Sequence, residues 1–360
     1  MKYLFIIQGE GRGHLTQAMT MEKLLRSRGH EVVEMLVGKS ESRKLPSFFL
    51  DGVNAPVTCF ESINFVSAAA DKRPDAVKSV LYNIAVSPKF IPSVSLIRSK
   101  IKESGADVIL NFYELLGTIA HGLTGWRIPM ACIGHQFLFL HEDMHIPEFG
   151  YEGHHALNLF SKAIAASASK LLALSFRPMP DDGKIKVVPP LLRPEVLSYR
   201  QSPEFRDGDY ILGYMLNAGF AEEVRAWHAK NPSVPLRFFW DNAAEAPVKV
   251  VDDTLSFYYL DDKEFLRQMA GCMAYASTAG FESICEAMYL GKPLMMVPSH
   301  IEQKCNAYDA TRFDAAVESE TFDLDVLLSF ARDGKFRRDE GFPAWAMSAA
   351  EVFAKELESM

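Results

Sequence analysis

The chain has few of the features that would mark a secreted, membrane-spanning or nucleic-acid-coating protein. It has five cysteines in 360 residues (Cys59, Cys132, Cys272, Cys285 and Cys305), an odd count without a CxxC pair. No closed disulfide framework fits that set, so the thiols read as reduced and the expected location is the cytoplasm. No run of about 18 apolar residues occurs, which excludes a transmembrane helix. The apolar run Tyr3–Ile7 stops at Gln8-Gly9-Glu10-Gly11, too short for the apolar stretch of a signal peptide and without a cleavage pattern. Excess positive charge is missing too: 38 Lys+Arg stand against 46 Asp+Glu, a formal net charge of -8. That balance argues against bulk nucleic-acid binding, which draws on phosphate neutralisation. No short-period repeat is visible.

Apolar residues are plentiful, at 48% of the chain with 25 Phe, against 23% charged. Such a chain buries substantial cores, and at roughly 150 residues per domain its length suggests about two. The start alternates strand, glycine loop, helix and strand: Tyr3–Ile7, Gly9 to Gly13, Leu15–Arg28, His30–Val37. This βαβ pattern implies a parallel sheet. It continues with a strand at Asp107–Asn111, a helix at Leu115–Leu123, and strands at Pro129–Gly134, Ser169–Ala173 and Lys186–Val188. Prolines and charges then dominate residues 193–209, read as a linker. A second alternation follows. Strands are read at Tyr210–Met215, Leu236–Trp240, Leu255–Tyr259, Met273–Ala276 and Pro293–Val297. Helices are read at Ala221–Lys230, Lys263–Ala270, Phe281–Tyr289 and Asn306–Phe313. The expected fold class is α/β, with two Rossmann-like domains, 1–192 and 210–342, facing across a cleft, and a helix at 343–360 packing back on the first. Ligands of such sheets bind beyond the carboxyl ends of the strands.

Two loops lie at such ends. The first, Gly9-Glu10-Gly11-Arg12-Gly13-His14, opens a helix. Glycines there allow close backbone approach and positive φ, and the helix N-terminus favours negative charge. The spacing is GxGxG, not the dinucleotide GxGxxG, and the second strand ends in Gly38-Lys39 instead of an acid. His14 stands where loop becomes helix. A positive helix end disfavours its protonated form, making it a candidate general base; a plain hydrogen bond to the loop is the other reading. The second loop is Ser277-Thr278-Ala279-Gly280, followed by Phe281-Glu282-Ser283-Ile284-Cys285-Glu286. Ser277 and Thr278 are hydroxyl-bearing candidates for the helix cap, and Ala279 and Gly280 leave space for a diphosphate against exposed amides. Glu286, in the second helical turn, suits ribose hydroxyls. Glu302, Gln303 and Asn306 follow a strand end and suit sugar hydroxyls.

The order Ser-Thr-Ala-Gly-Phe, Glu286-Ala287, Gly291-Lys292-Pro293, Val297-Pro298, Glu302-Gln303, Asn306-Ala307 resembles the donor half of GT-B glycosyltransferases. It is similar to the branch holding the lipid-II-forming N-acetylglucosaminyltransferase and the UDP-glycosyltransferases, and the opening Gly9–His14 resembles their acceptor-side loop. The resemblance implies sugar transfer from a nucleotide diphosphate sugar, expected to be a UDP-sugar, to an unidentified small-molecule or lipid acceptor. It implies direct displacement with inversion. The donor is a substrate, and neither a cofactor nor a metal is expected. By resemblance, Glu286 holds the ribose. Thr278, Ala279 and Gly280 face the diphosphate, and Ser277, Gly11 and Gly13 are further candidates for binding. Asn217 and Gly219 form a second phosphate-side loop, Tyr259 and Leu260 lie against the base, Glu302 and Gln303 contact the sugar, and His14 is the base. Relatives pair that base with an Asp; here Asn111 stands at the place, with Glu114 nearby as the candidate orienting group. The turn reads Ala279-Gly280 where many relatives have Gly-Gly. Asp207-Gly208-Asp209 and Asp323-Leu324-Asp325 match a metal-binding spelling but read as solvated surface. The segment Lys78–Lys102 mixes apolar and basic residues, which suits either a core-packed helix or peripheral contact with the inner membrane face. His135, Gln136, His141, His145, His154 and His155 are candidates for an acceptor pocket. Two other readings stay open: a nucleotide-sugar 2-epimerase and a non-catalytic nucleotide-sugar binder.

Overall fold

A computed structural model describes residues 1–63, 87–125, 127–146, 151–202, 205, 208–215, 218–240, 246–312 and 314–360. The described chain divides into two compact units. The first holds the residues up to Leu191 together with Trp345–Met360; the second spans Leu192–Ala344. No helix among the described residues is long and apolar enough to cross a membrane.

The first unit is built on strands β1 (Lys2–Gln8), β2 (Glu31–Lys39), β3 (Val57–Glu61), β4 (Val108–Phe112), β5 (Met130–Gly134), β6 (Lys170–Leu174) and β7 (Ile185–Val188). They form a seven-stranded sheet in the order β3-β2-β1-β4-β5-β6-β7. Every pairing in it is parallel. All five residues of β4 and all five of β5 are buried, as expected for parallel strands covered on both faces. The C-terminal end forms two helices, Phe342–Met347 and Ala349–Glu358, where a single one is predicted. Phe353 and Leu357 are fully buried. Lys170 Nζ lies 2.9 Å from Glu356 Oε2, and Arg28 Nη1 lies 3.2 Å from Glu351 Oε1. Residues 78–86 of the basic-apolar segment lie outside the described residues; the rest forms a short 3-10 turn, Ser87–Phe90, and the helix Ile91–Glu103, which buries Ser93, Ile97 and Ile101.

The second unit repeats the plan with β8 (Ile211–Met215), β9 (Leu236–Trp240), β10 (Val248–Val250), β11 (Leu255–Tyr259), β12 (Ala274–Ser277), β13 (Leu294–Met296) and β14 (Ala316–Glu318). The order is β10-β11-β9-β8-β12-β13-β14, and the edge pairing β10–β11 is the antiparallel one. Its core gathers Phe238, Trp240, Phe257, Met295, Phe322 and Leu327 around the sheet. The stretch read as a linker carries a helix, Pro194–Gln201, started by a proline at its first position.

Candidate active site

In the first sheet β1 and β4 are neighbours from which the strand order runs outward both ways, so the loops after them flank a switch point. The Gly9 N–H donates to the Gly38 carbonyl at 2.7 Å. A Cβ on Gly9 would lie 2.7 Å from Val37 Cγ1 and 2.8 Å from that carbonyl, so the close approach of two backbones requires glycine. The predicted positive φ is not found: Gly9, Gly11 and Gly13 are all absent from the residues with positive φ, and Gly11 has φ −95°. The Glu10 amide is taken by Gln8 Oε1 at 3.2 Å. No side chain caps the helix Arg12–Ser27 that follows.

His14 sits in the first turn of that helix. Its Nδ1 lies 3.2 Å from Gln17 Oε1, and its ring stacks on Tyr113, centroids 5.6 Å apart and planes 23° apart. Burial pulls the imidazole down to about 4, with the Gln17 hydrogen bond opposing. The ring is therefore neutral at physiological pH, and desolvation is the leading cause.

Glu114 takes other partners than His14. It is buried, caps the helix Leu115–Gly122 through the Leu116 amide at 2.9 Å, and accepts from Ser62 Oγ at 2.8 Å. Among the described residues no hydrogen bond joins it to His14. Burial raises its carboxyl to about 7, and Glu10 adds to the rise. A Cβ on Gly38 would lie 2.5 Å from Glu114 Oε2, so this glycine, next to last in β2, gives room to the carboxyl. Asn111 shapes the turn: its Nδ2 donates to the Glu114 carbonyl at 2.9 Å, and its Oδ1 accepts from the Glu114 amide at 2.7 Å. An aspartate has no donor for the first of these bonds. Between them Tyr113 is held at φ 60°, a left-handed conformation rare for a residue with a Cβ.

In the second sheet the switch point lies between β8 and β12. After β12 the chain turns through Thr278, Ala279 and Gly280 into the helix Phe281–Tyr289. Ala279 has φ 59°, so a left-handed residue opens the turn. Gly280 is the N-cap and no side chain caps the helix. Ser277 and Thr278 are not the cap: Ser277 Oγ accepts from the Ala279 amide at 3.2 Å, and Thr278 Oγ1 is buried without a partner among the described residues. Asn306 Nδ2 donates to the Ala279 carbonyl at 3.0 Å, leaving its own Oδ1 buried and unpartnered there.

Glu286 is buried and held by a guanidinium that sequence reading missed. Arg193 Nε and Nη2 donate to its two oxygens at 2.6 and 2.8 Å, and Arg193 Nη1 reaches Asp262 Oδ1 at 3.2 Å. Burial works against the Arg193 charge, but Glu286 and Asp262 outweigh it and hold the guanidinium protonated. Glu302 and Gln303 follow β13 and lie in the first turn of a helix, Ile301–Thr311, which starts five residues before the predicted Asn306. Gln303 Oε1 accepts from the Ser299 amide at 2.8 Å and hydroxyl at 2.7 Å, leaving its NH2 group to donate elsewhere. Tyr259 is partly exposed, and its amide is spent on the Pro247 carbonyl at 2.8 Å; the buried Leu260 donates to the Trp240 carbonyl at 3.2 Å. Gly219 lies exposed in the short turn Ala218–Phe220 after β8, and Asn217 lies outside the described residues. His135 and His141 are buried and bond the carbonyls of Leu174 and Pro180 at 2.7 and 2.9 Å. His145 and His155 are exposed, and the His154 side chain lies outside the described residues. Asp323 caps the helix Leu324–Arg332, and no group of three or more His, Cys, Asp or Glu converges as for a metal among the described residues.

The profile of Glycosyl transferase family 1 matches residues 1–333. The chain belongs to that family. No protein of curated function shows a significant match to this glycosyltransferase sequence. Among solved structures it is similar to the glycosyltransferase of kitacinnamycin, with a TM-score of 0.67 at 14% identity over 99% of this chain and 98% of that one. MurG of Acinetobacter baumannii gives 0.57 at 16%, over 100% of both chains. UGT2 of Phytolacca americana, complexed with UDP-2fluoro-glucose and pterostilbene, gives 0.58 at 14%, over 99% of this chain and 94% of that one. At such identities the likeness shows the fold, which is that of GT-B glycosyltransferases.

Proposed function

We propose that this glycosyltransferase moves a sugar from UDP to an acceptor hydroxyl by direct displacement with inversion, without a metal. His14 takes the acceptor proton, and the acceptor oxygen attacks the anomeric carbon. The bond from that carbon to the β-phosphate oxygen breaks, and UDP leaves with the electron pair. A base is useful only if unprotonated, and burial keeps His14 so. The charge gathering on UDP is met by the amides at the start of Phe281–Tyr289. Removing one such preorganised donor typically costs about 3 kcal/mol of transition-state stabilisation. Glu286 accepts the ribose hydroxyls while Arg193 holds its two oxygens in place. Glu302 and the free amide of Gln303 read the sugar.

The observation that carries this reading is the turn after β12. It combines an uncapped helix N-terminus, a left-handed Ala279, and two buried oxygens, on Thr278 and Asn306, without partners among the described residues. Leaving such oxygens unsatisfied costs about 1–3 kcal/mol each, a cost a bound hydroxyl or water relieves. UDP in the complex of the Phytolacca americana enzyme supports uracil as the base. The test is a thermal-shift panel of nucleoside diphosphates and their sugars in EDTA. UDP and at least one UDP-sugar are expected to raise the midpoint, by mass action on the folded state. A panel in which no nucleotide shifts it overturns the reading.

A further inference from the structure

Tyr113 lies outside every motif of the sequence, yet the fold goes to some length to hold it. It is buried at φ 60°, where a residue with a Cβ is strained by roughly 1–2 kcal/mol. Asn111 locks the following peptide by bonding both the amide and the carbonyl of Glu114. The tyrosine hydroxyl is anchored on Ser161 Oγ at 2.6 Å. Phe137 and Phe160 meet the ring at angles, with centroids 5.5 and 5.7 Å away. The imidazole of His14 stacks on that ring, nearly parallel to it.

We propose that Tyr113 is a positioning residue for the base: its locked ring covers one face of the His14 imidazole, excludes water from it, and fixes the ring plane. With Nδ1 held by Gln17, Nε2 makes no hydrogen bond among the described residues and is the nitrogen left for the acceptor hydroxyl. Among the described residues the imidazole meets Gln17 from its own helix and Tyr113 from the end of β4, neither of them charged; desolvation is the leading cause of its lowered pKa, and the Tyr113 ring is part of that burial. The strain is the cost of bringing a large aromatic to the strand tip, a place where such backbone strain accompanies function. The inference rests on His14 being the base.

The test is an NMR titration of the histidine rings in the full-length protein, with the His14 signal assigned by its loss in His14→Ala. In the wild type this signal should show cross-peaks to the Tyr113 ring and titrate near 4. Tyr113→Phe, which keeps the ring, should titrate within a few tenths of a pH unit of the wild type. Tyr113→Asn, which tolerates the left-handed turn but lacks the ring, should titrate at least about one pH unit higher. A wild-type His14 that titrates as an ordinary histidine overturns the proposal whether or not the variants fold. So does an unchanged titration in Tyr113→Asn. The base reading is tested separately by UDP release in His14→Ala, with the UDP-sugar giving the largest thermal shift. Normal release there removes His14 as base, whereas lost release with an unmoved titration in Tyr113→Asn removes the tyrosine's role alone.

Discussion

A left-handed backbone on a residue with a Cβ is unfavourable by roughly 1–2 kcal/mol, and among the described residues the chain accepts it at two strand ends, Tyr113 and Ala279. The two differ in what the side chain contributes. Ala279 offers only a methyl group, so Ala279→Gly is expected to stabilise the protein by about 1 kcal/mol, read as a higher urea midpoint with UDP affinity retained. A lower midpoint would show that the methyl packs favourably enough to outweigh the strain. Asn111 illustrates a donor that an acid cannot replace. Asn111→Asp puts a buried carboxylate against the Glu114 carbonyl and removes the bond at 2.9 Å, for an expected loss of about 2–3 kcal/mol in urea denaturation. At the ribose site, Glu286→Gln keeps an acceptor oxygen but loses the charge. UDP affinity measured by calorimetry should fall about tenfold, and an unchanged value would put the ribose elsewhere.

Among the elements, those with a strong period were legible in the sequence. The helices Ala221–Lys230 and Phe281–Tyr289 and the strands Leu236–Trp240 and Leu255–Tyr259 lie where predicted. The predicted nucleotide turn follows a buried strand and opens a helix, as its small residues indicated. The missed strands, β3, β10 and β14, lie at the sheet edges, and the helices Ser47–Gly52, Tyr151–Ile164 and Leu324–Arg332 were missed as well. β10 and β14 are three residues each, and two of the three in β10 are exposed, so neither shows the apolar run of a buried strand. The start of Ile301–Thr311 was hidden because its first turn is polar and no side chain caps it. Tyr113 and Arg193 could not be found from spacing, since one acts through a strained φ and the other through a partner 93 residues away. The C-terminal helix Ala349–Glu358 buries Phe353 and Leu357, each stabilising by about 1.5–3 kcal/mol. A chain ending at Ser348 should therefore unfold at a lower temperature while still binding UDP through the second unit. Loss of UDP binding in a folded truncated chain would contradict that division of labour.

For the whole molecule the buried titratable groups set a pH dependence with a definite sign. His14, His135 and His300 are all pulled by burial from 6.5 to about 4. Between those values the unfolded chain binds more protons than the folded one, so stability falls as pH drops from 6.5 towards 4. Glu114 is raised from 4.5 to about 7, so its folded form keeps a proton longer, and the stability it contributes is lost as pH rises through 7. Below pH 6.5 the three histidines outweigh the one carboxyl, so urea midpoints across pH 4.5 to 8.5 should rise to a maximum near pH 6.5, fall slightly through pH 7 and then level off. Glu114→Gln should flatten the alkaline side, and an unaltered alkaline side would mean that Glu114 does not titrate there.

The most direct measurement of where the diphosphate is held is hydrogen exchange of the full-length protein with and without UDP, in EDTA. The amides at the start of Phe281–Tyr289 have no side-chain cap to protect them. Bound UDP is expected to slow exchange in peptides covering residues 278–283 more than anywhere else in the second unit. Saturating UDP that leaves those peptides unchanged while protecting others would contradict the site proposed for the departing phosphate.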